Sequence, residues 1–359
     1  MRILLLILLQ FCLSITYTEA QVVLVKNCKS NYKIIISSKP TTEEVKAARI
    51  FKEYFYKISS VSLDILADNV SPSAEEIVIG NTNRFCASIT KEDAFMIKTE
   101  KEKLFIIGGN GKGVIYGVTE FLEKYIGCRK YSPDVEYIPK KSYIILESIN
   151  DFQEPASAIR IINGELCNDE NYRNWRKLSS VTEKWGSGAF AGYFVHTFNK
   201  FVPREKYFES HPEYFSMIDG VRVPYGQLCL SNPEVFKLTV EKLREEISKN
   251  PQIKYWSVSQ NDNYEHCTCP DCMKIDELEE SPSGSLIRFV NEVAKTFPDK
   301  IITTLAYQYS RKPPKITKPE SNVMITLCTI ELNRNEPIAS DITSQDFVRD
   351  IEGWSDICK

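Results

Sequence analysis

The sequence has no basic run long enough to act as an electrostatic footprint. Its 45 Lys and Arg are offset by 48 Asp and Glu, for a formal net charge of −3. That balance excludes nucleic acid as an expected partner. Long apolar runs are equally scarce. One covers residues 3–15 behind Arg2; it is too short for a comfortable membrane span, and no later segment is long enough. With the more polar stretch 16–19 and Ala20 as the small residue before a cut, residues 1–20 read as an export signal. Cys12 does not make this a lipoprotein signal, because Phe11 before it is too large. The mature chain is expected in a periplasm, at a cell surface or secreted, with no membrane span. A phosphate loop is also missing. Gly108-Gly109-Asn110-Gly111-Lys112-Gly113 has no Gly-Lys-Ser/Thr ending and no acidic residue placed for a ribose, so it reads as a tight strand-to-helix turn.

What is present is an ordinary globular composition, 43% hydrophobic and 26% charged, in a chain long enough for two domains. Residues 21–149 are read as a small α/β domain. A β-rich run at 32–37 is followed by a capping box, Thr41-x-x-Glu44, opening a helix whose Ala47, Ile50, Phe51, Tyr54 and Ile58 share one face. Short apolar strands follow at 76–79 and 104–107. Val114, Val118, Phe121, Leu122 and Tyr125 then form the stripe of a second helix ending at Gly127. Residues 150–155 read as a linker.

From 150 to 359 the pattern is strand, loop, helix, repeated, which implies a parallel sheet. Strands are predicted at 158–162, 190–195, 227–230, 255–259, 301–306 and 323–328. Helices are predicted after Asn232-Pro233 and around Leu286, Phe289, Val290 and Val293. Periodicity alone fits a (β/α) barrel and an open doubly wound sheet equally. A full eight-stranded barrel takes about 250 residues, whereas 202 remain from residue 158. A barrel is therefore expected to be incomplete at its C-terminal side or closed differently.

In either architecture functional side chains lie past the carboxyl ends of strands. That rule selects Asn163-Gly164-Glu165 at the first strand, His196 at the second, Gln260-Asn261-Asp262-Asn263 at the fourth, Tyr307-Gln308-Tyr309 at the fifth, and Glu331, Asn333 and Arg334 at the sixth. Dense amide, carboxylate and aromatic groups suit the many hydroxyls of a sugar. Glycosidic cleavage usually needs two carboxyl groups, one to protonate the leaving oxygen and one as base, nucleophile or stabiliser. Asp262 and Glu331 are the best-placed pair, and Glu165 is a third candidate. The run at 261–263 reads equally as a solvated turn.

Removal of residues 1–20 leaves ten cysteines. Cys229 and Cys328 sit singly in apolar runs, as buried free thiols do. His266-Cys267-Thr-Cys269-Pro-Asp-Cys272 offers three or four ligands for tetrahedral zinc, but no distant second pair is evident. In an exported protein a loop disulfide or free thiols are preferred to structural zinc, and a catalytic metal ranks last. No cofactor is expected.

Several segments resemble the bacterial domain of unknown function 4838: His-Thr-Phe at 196–198, Tyr-Phe-x-x-His-Pro-Glu-Tyr-Phe at 207–215, Leu-Cys-Leu-Ser-Asn-Pro-Glu-Val at 228–235 and Trp-Ser-Val-Ser-Gln-Asn-Asp-Asn at 256–263. Cys-x-Cys-x-x-Cys at 267–272, Ser-Pro-Ser-Gly-Ser-Leu at 281–286 and Thr-Leu-Ala-Tyr-Gln-Tyr at 304–309 complete the set. That family includes glycoside hydrolase family 163, endo-β-N-acetylglucosaminidases of complex N-glycans. The stretches at 106–109 and 113–122 resemble the non-catalytic domain that precedes the barrel in family 20 hexosaminidases and family 67 α-glucuronidases. The resemblance implies a retaining, substrate-assisted glycoside hydrolase acting on N-acetylhexosamine-containing glycans or glycoproteins. Asp262 would be one catalytic partner beside Asn261, Glu331 the other, with Tyr307 positioning the acetamide and His196, Gln260, Glu165, Arg160 and Asn333 binding substrate. Family 20 enzymes carry an adjacent Asp-Glu pair where this chain has Asn261-Asp262. The alternative is a non-catalytic glycan-binding protein or an inactive, shortened relative of such an enzyme.

Overall fold

The computed structural model describes residues 21–185 and 193–358. The export signal read at 1–20, and part of the strand read at 190–195, lie outside them. The chain divides into two compact units, Met1–Ser180 and Val181–Lys359.

The first unit is built on a six-stranded mixed sheet. Its strands are β1 (Lys33–Ile36), β2 (Ile65–Ala67), β3 (Glu76–Ile79), β4 (Phe95–Glu100), β5 (Lys103–Gly108) and β6 (Asn150–Gln153), in the order β6-β4-β5-β3-β1-β2. The four on the β2 side run parallel, whereas β4 and β6 are antiparallel to their neighbours. Residues 150–153, expected in a linker, are therefore the edge strand of the sheet. Helix α1 (Thr42–Ser59) opens with the capping box read from the sequence: Thr41 accepts from Glu44 N, and the Glu44 carboxylate accepts from Thr41 N. It buries Ala47, Ala48, Phe51, Tyr54, Phe55 and Ile58, with Ile50 partly buried beside them. Helix α2 (Gly113–Glu120) continues as a π turn, Phe121–Ile126, and ends at Gly127 with φ 95°, a left-handed conformation that suits glycine. Phe51 and Phe121 stack at 5.6 Å between ring centroids, and each fully buried aromatic contributes about 2–3 kcal/mol.

The second unit holds a three-stranded parallel sheet of β7 (Tyr255–Ser257), β8 (Ile301–Ala306) and β9 (Val323–Leu327) in sequence order. Helix α3 (Pro233–Lys249) precedes it, capped by Asn232 with Pro at its first position. Helices α4 (Pro270–Leu278) and α5 (Ser283–Thr296) form the crossover from β7 to β8. Leu286, Phe289, Val290 and Val293 of α5 are buried against Leu243, Trp256 and Ile302. Helix α6 (Gln345–Ile357) comes last.

Among the described residues the mixed α/β architecture and a parallel strand–helix–strand unit are present, but no closed barrel. Two of the anticipated strands are irregular segments. At 158–162 the backbone is held by Arg160, whose guanidinium donates to Lys177 O at 2.7 Å and Ser157 O at 2.6 Å. At 227–230 a single antiparallel bridge, Phe215 to Leu228, replaces a ladder. Residues 193–195 also lack strand structure.

The β7–β8 crossover is fixed by Glu279, which is fully buried. Its carboxylate accepts from Arg288 Nε at 2.9 Å, Thr317 Oγ1 at 2.5 Å, and the backbone N of Ile316 and Thr317 at 2.8 and 3.0 Å. Gly284 makes room for it: a Cβ there would lie 2.4 Å from Glu279 Cγ. Burial opposes ionisation of Glu279, but these donors outweigh it and hold the carboxyl at about 2, down from 4.5. A carboxyl lowered in this way adds stability above pH 4.5 that is lost as pH falls through about 2. Glu279→Gln is expected to destabilise the protein by about 3 kcal/mol at neutral pH and to remove that acid-dependent loss, as read by urea unfolding across pH. An unchanged acid limb would contradict this role.

Candidate active site

The chain leaves β7 through Val258-Ser259-Gln260, and residues 193–198 run beside it. Ser257 N donates to Tyr193 O at 3.0 Å, and Thr197 N and Phe198 N both donate to Ser259 O. Ser259 N in turn donates to Thr197 Oγ1 at 3.0 Å. This places His196 at the strand end with φ 53°, a left-handed backbone that disfavours any side chain. Its Nδ1 is 2.8 Å from Gln260 O. A carbonyl only accepts, so Nδ1 is the donor in this contact.

The loop at 261–263 is gripped by Gln227, which is 1% exposed. Gln227 Oε1 accepts from Asn261 N at 2.8 Å, and its Nε2 lies 2.9 Å from Asn261 O, Asn263 O and Asn263 Oδ1. Asn261 Nδ2 donates to Gly226 O at 2.9 Å, while its Oδ1 accepts from Asn199 N at 3.3 Å. Both polar ends of Asn261 therefore serve the loop. Gln260 is fully buried; its Nε2 donates to Ser310 Oγ at 2.6 Å and Leu305 O at 3.0 Å, tying the exit of β7 to that of β8.

Asp262 is the residue this loop presents to solvent. Tyr307, just past β8, donates its hydroxyl to Asp262 Oδ1 at 2.8 Å. Gln308 Nε2 donates to Tyr307 Oη at 3.0 Å, so a three-residue relay ends on the carboxylate. Burial pushes the Tyr307 phenol up to about 12; the hydrogen bond to Asp262 and the charges of Asp262 and Glu331 add to it. The phenol is a proton donor throughout the neutral range. The Tyr307 and His196 rings are 6.0 Å apart. Gln308 has φ 51°, and its Oε1, like Gln260 Oε1, is buried without a partner among the described residues. Strained backbone and unsatisfied amide oxygens thus occur together at the ends of these two strands.

The remaining candidates are placed differently. Glu331 is exposed in a turn. Asn333 Oδ1 accepts from Asn335 N at 3.0 Å and the side chain also bonds Asp341. Arg160 and Glu165 belong to the first unit. There Arg160 pairs with Asp93 at 2.7 Å and covers the Tyr116 ring, and Glu165 opens an exposed 3-10 turn.

Cys267, Cys269 and Cys272 are buried and gather with a fourth cysteine, Cys229, all four Sγ atoms lying within 4.8 Å of one another. His266 is outside this cluster; its ring stacks on Tyr309 at 5.1 Å. Gln227 and Cys229 were not singled out as site residues from the sequence. The only hint for Cys229 was the want of a fourth sulfur to complete the Cys-x-Cys-x-x-Cys set.

Gln227→Ala removes a buried amide and strands the groups it satisfies. A loss of about 2–4 kcal/mol in unfolding free energy is expected by urea denaturation, with faster proteolysis within 260–265. A change below 1 kcal/mol, roughly that of an ordinary surface substitution, would contradict the clamp.

No curated protein matches the sequence. Among solved structures the chain is similar to a chitobiase of family GH20 from Flavobacterium johnsoniae, at 12% identity and a TM-score of 0.48, covering 94% of this chain and 57% of that one. It is also similar to a β-hexosaminidase mutant from Streptomyces plicatus in complex with GlcNAc, at 9% identity and a TM-score of 0.43, covering 92% and 70%. A third is a β-N-acetylhexosaminidase from Bacteroides fragilis, at 12% identity and a TM-score of 0.41, covering 86% and 67%. The chain thus spans little more than half the length of the first of these. Residues 130–359 match the family described as Domain of unknown function (DUF4838), and the chain belongs to that family.

Proposed function

We propose that the protein is a glycoside hydrolase acting on N-acetylhexosamine-containing glycans. The observation that carries this reading is the 2.8 Å hydrogen bond from Tyr307 to Asp262 at the ends of two adjacent parallel strands. In the proposed reaction the Asp262 carboxylate, held by Tyr307, accepts from the acetamide N–H of the substrate. The acetamide oxygen then attacks the anomeric carbon while Glu331 protonates the departing glycosidic oxygen. Water opens the cyclic intermediate, returning a proton to Glu331 and retaining the configuration. His196 Nε2 is available to accept from a sugar hydroxyl. Tyr264 and Tyr225, 61% and 68% exposed, are available for stacking on sugar rings. An endo-enzyme of N-glycans is the finer form of this proposal, and the export read from residues 1–20 belongs with it. No helix among the described residues is long and apolar enough to cross a membrane.

Release of sugar from p-nitrophenyl N-acetyl-β-glucosaminide or from an N-glycoprotein is the expected result. Asp262→Asn should lower kcat by about 10²–10⁴-fold. Tyr307→Phe should lower it less, on the order of tenfold to a hundredfold. Folded protein that releases nothing from either substrate contradicts the proposal. A second reading, glycan binding without turnover, is favoured by the exposure of both Asp262 and Glu331, since catalytic groups ordinarily act in a site closed to water. Binding on a glycan array that survives Asp262→Asn and Glu331→Gln, with no release, would establish it.

A further inference from the structure

The four buried cysteines of the second unit come from separate stretches of chain. Cys229 lies in the irregular segment that carries Gln227, Cys267 and Cys269 follow the 261–263 loop, and Cys272 is in the first turn of α4. Cys229 Sγ is 3.6 Å from Cys269 Sγ and 4.0 Å from Cys272 Sγ. Disulfide-bonded sulfurs sit at about 2.0 Å. Four thiolates around one zinc at about 2.3 Å have tetrahedral edges of about 3.8 Å, which matches the spacing observed. That separation has room for one ion and not for an iron–sulfur cluster.

The surroundings suit thiolates. Met217 N donates to Cys267 Sγ at 3.4 Å, and Arg222 Nη1 approaches the same sulfur at 3.6 Å. The Ser231 hydroxyl is 3.2–3.7 Å from Cys272, Cys229 and Cys269. Cys269 is the N-cap residue of α4, with Pro270 at its first position. Cys272, in the first turn, therefore lies near the positive end of the helix dipole. Arg222 offsets part of the net negative charge that four thiolates leave on a divalent ion.

We propose that Cys229, Cys267, Cys269 and Cys272 bind a single zinc ion, and that this ion closes a covalent and hydrogen-bonded ring around the 261–263 loop. From the metal the ring runs through Cys229 back two residues to Gln227, across its hydrogen bonds to Asn261 and Asn263, and forward to Cys267. The ion has no open position and takes no part in chemistry; it fixes where Asp262 points.

The test uses the full chain, purified without chelator or added metal. Elemental analysis should find about one zinc per chain, and mass spectrometry after alkylation should show Cys229, Cys267, Cys269 and Cys272 all reduced. X-ray absorption at the zinc edge should give four sulfurs at about 2.3 Å. Cys229→Ser is expected to lose the zinc. Because that variant also risks misfolding, the decisive arm is wild-type protein stripped by mercurial titration and reloaded with cobalt, which should show the thiolate charge-transfer band of a tetrahedral site. Hydrogen exchange at the Asn261 amide should accelerate on the order of tenfold in stripped, still-folded protein. Folded protein with no metal, a disulfide among the four, or iron in place of zinc overturns the site; unchanged exchange at Asn261 overturns the bracing. None of these readouts depends on whether a glycan is cleaved, so this inference and the hydrolase reading fail separately.

Discussion

The side-chain amide of Gln227 joins two stretches that have no regular ladder between them. One is the irregular segment at 227–230; the other is the loop that leaves β7. Four contacts from a single buried amide set the positions of Asn261 and Asn263, and so the direction in which Asp262 projects. Both ends of the amide are used, so no shorter or apolar residue does the same. The cysteine cluster lies two residues beyond Gln227 on one side and four beyond Asn263 on the other. Gln260 adds the connection to β8. Rigid support of this kind is what a site needs if one exposed carboxylate is to meet a substrate in a fixed orientation.

On the β8 side the same logic continues through strain. Tyr307 reaches Asp262 from just past the strand, in a turn where Gln308 has positive φ. His196 is held in the same region by its bonds to Ser259 and Gln260. Each such residue costs about 1–3 kcal/mol, and the surrounding hydrogen bonds offset it. Raised to about 12 chiefly by burial, the Tyr307 phenol keeps its proton and donates it in a hydrogen bond to Asp262 Oδ1.

Local chemistry was legible in the sequence, and long-range chemistry was not. The Thr41–Glu44 capping box, the Asn232-Pro233 helix start, Gly127 as a helix terminator and the α5 stripe all depend on neighbours within about four residues, and each is found in the structure. The buried strand Ile301–Ala306 was readable because β-branched and apolar residues fill it, Thr303 and Thr304 included. Strands Phe95–Glu100 and Asn150–Gln153 were missed because Lys98, Glu100, Asn150 and Asp151 make them polar. The segment at 227–230 has a strand's composition, but Gln227 and Cys229 bond sideways to other loops. Among the described residues a three-strand sheet stands where six strands were expected, and such diversions account for the segments at 158–162 and 227–230. Asp262 and Tyr307 were selected by their positions after apolar strands, and the structure brings them within hydrogen-bond distance. The burial of Cys229 was legible from its apolar neighbours, but its partners and those of Gln227 were not, because they lie about 35–45 residues away.

The most direct test of the Asp262–Tyr307 centre is a crystal structure of the protein soaked with N-acetylglucosamine. Sugar density is expected with its acetamide nitrogen within hydrogen-bond reach of Asp262 and the acetamide next to the Tyr307 hydroxyl, the 261–263 loop staying as Gln227 holds it. An ordered sugar bound elsewhere with this loop empty, or a loop that must leave Gln227 to admit the sugar, would contradict the assignment of this centre.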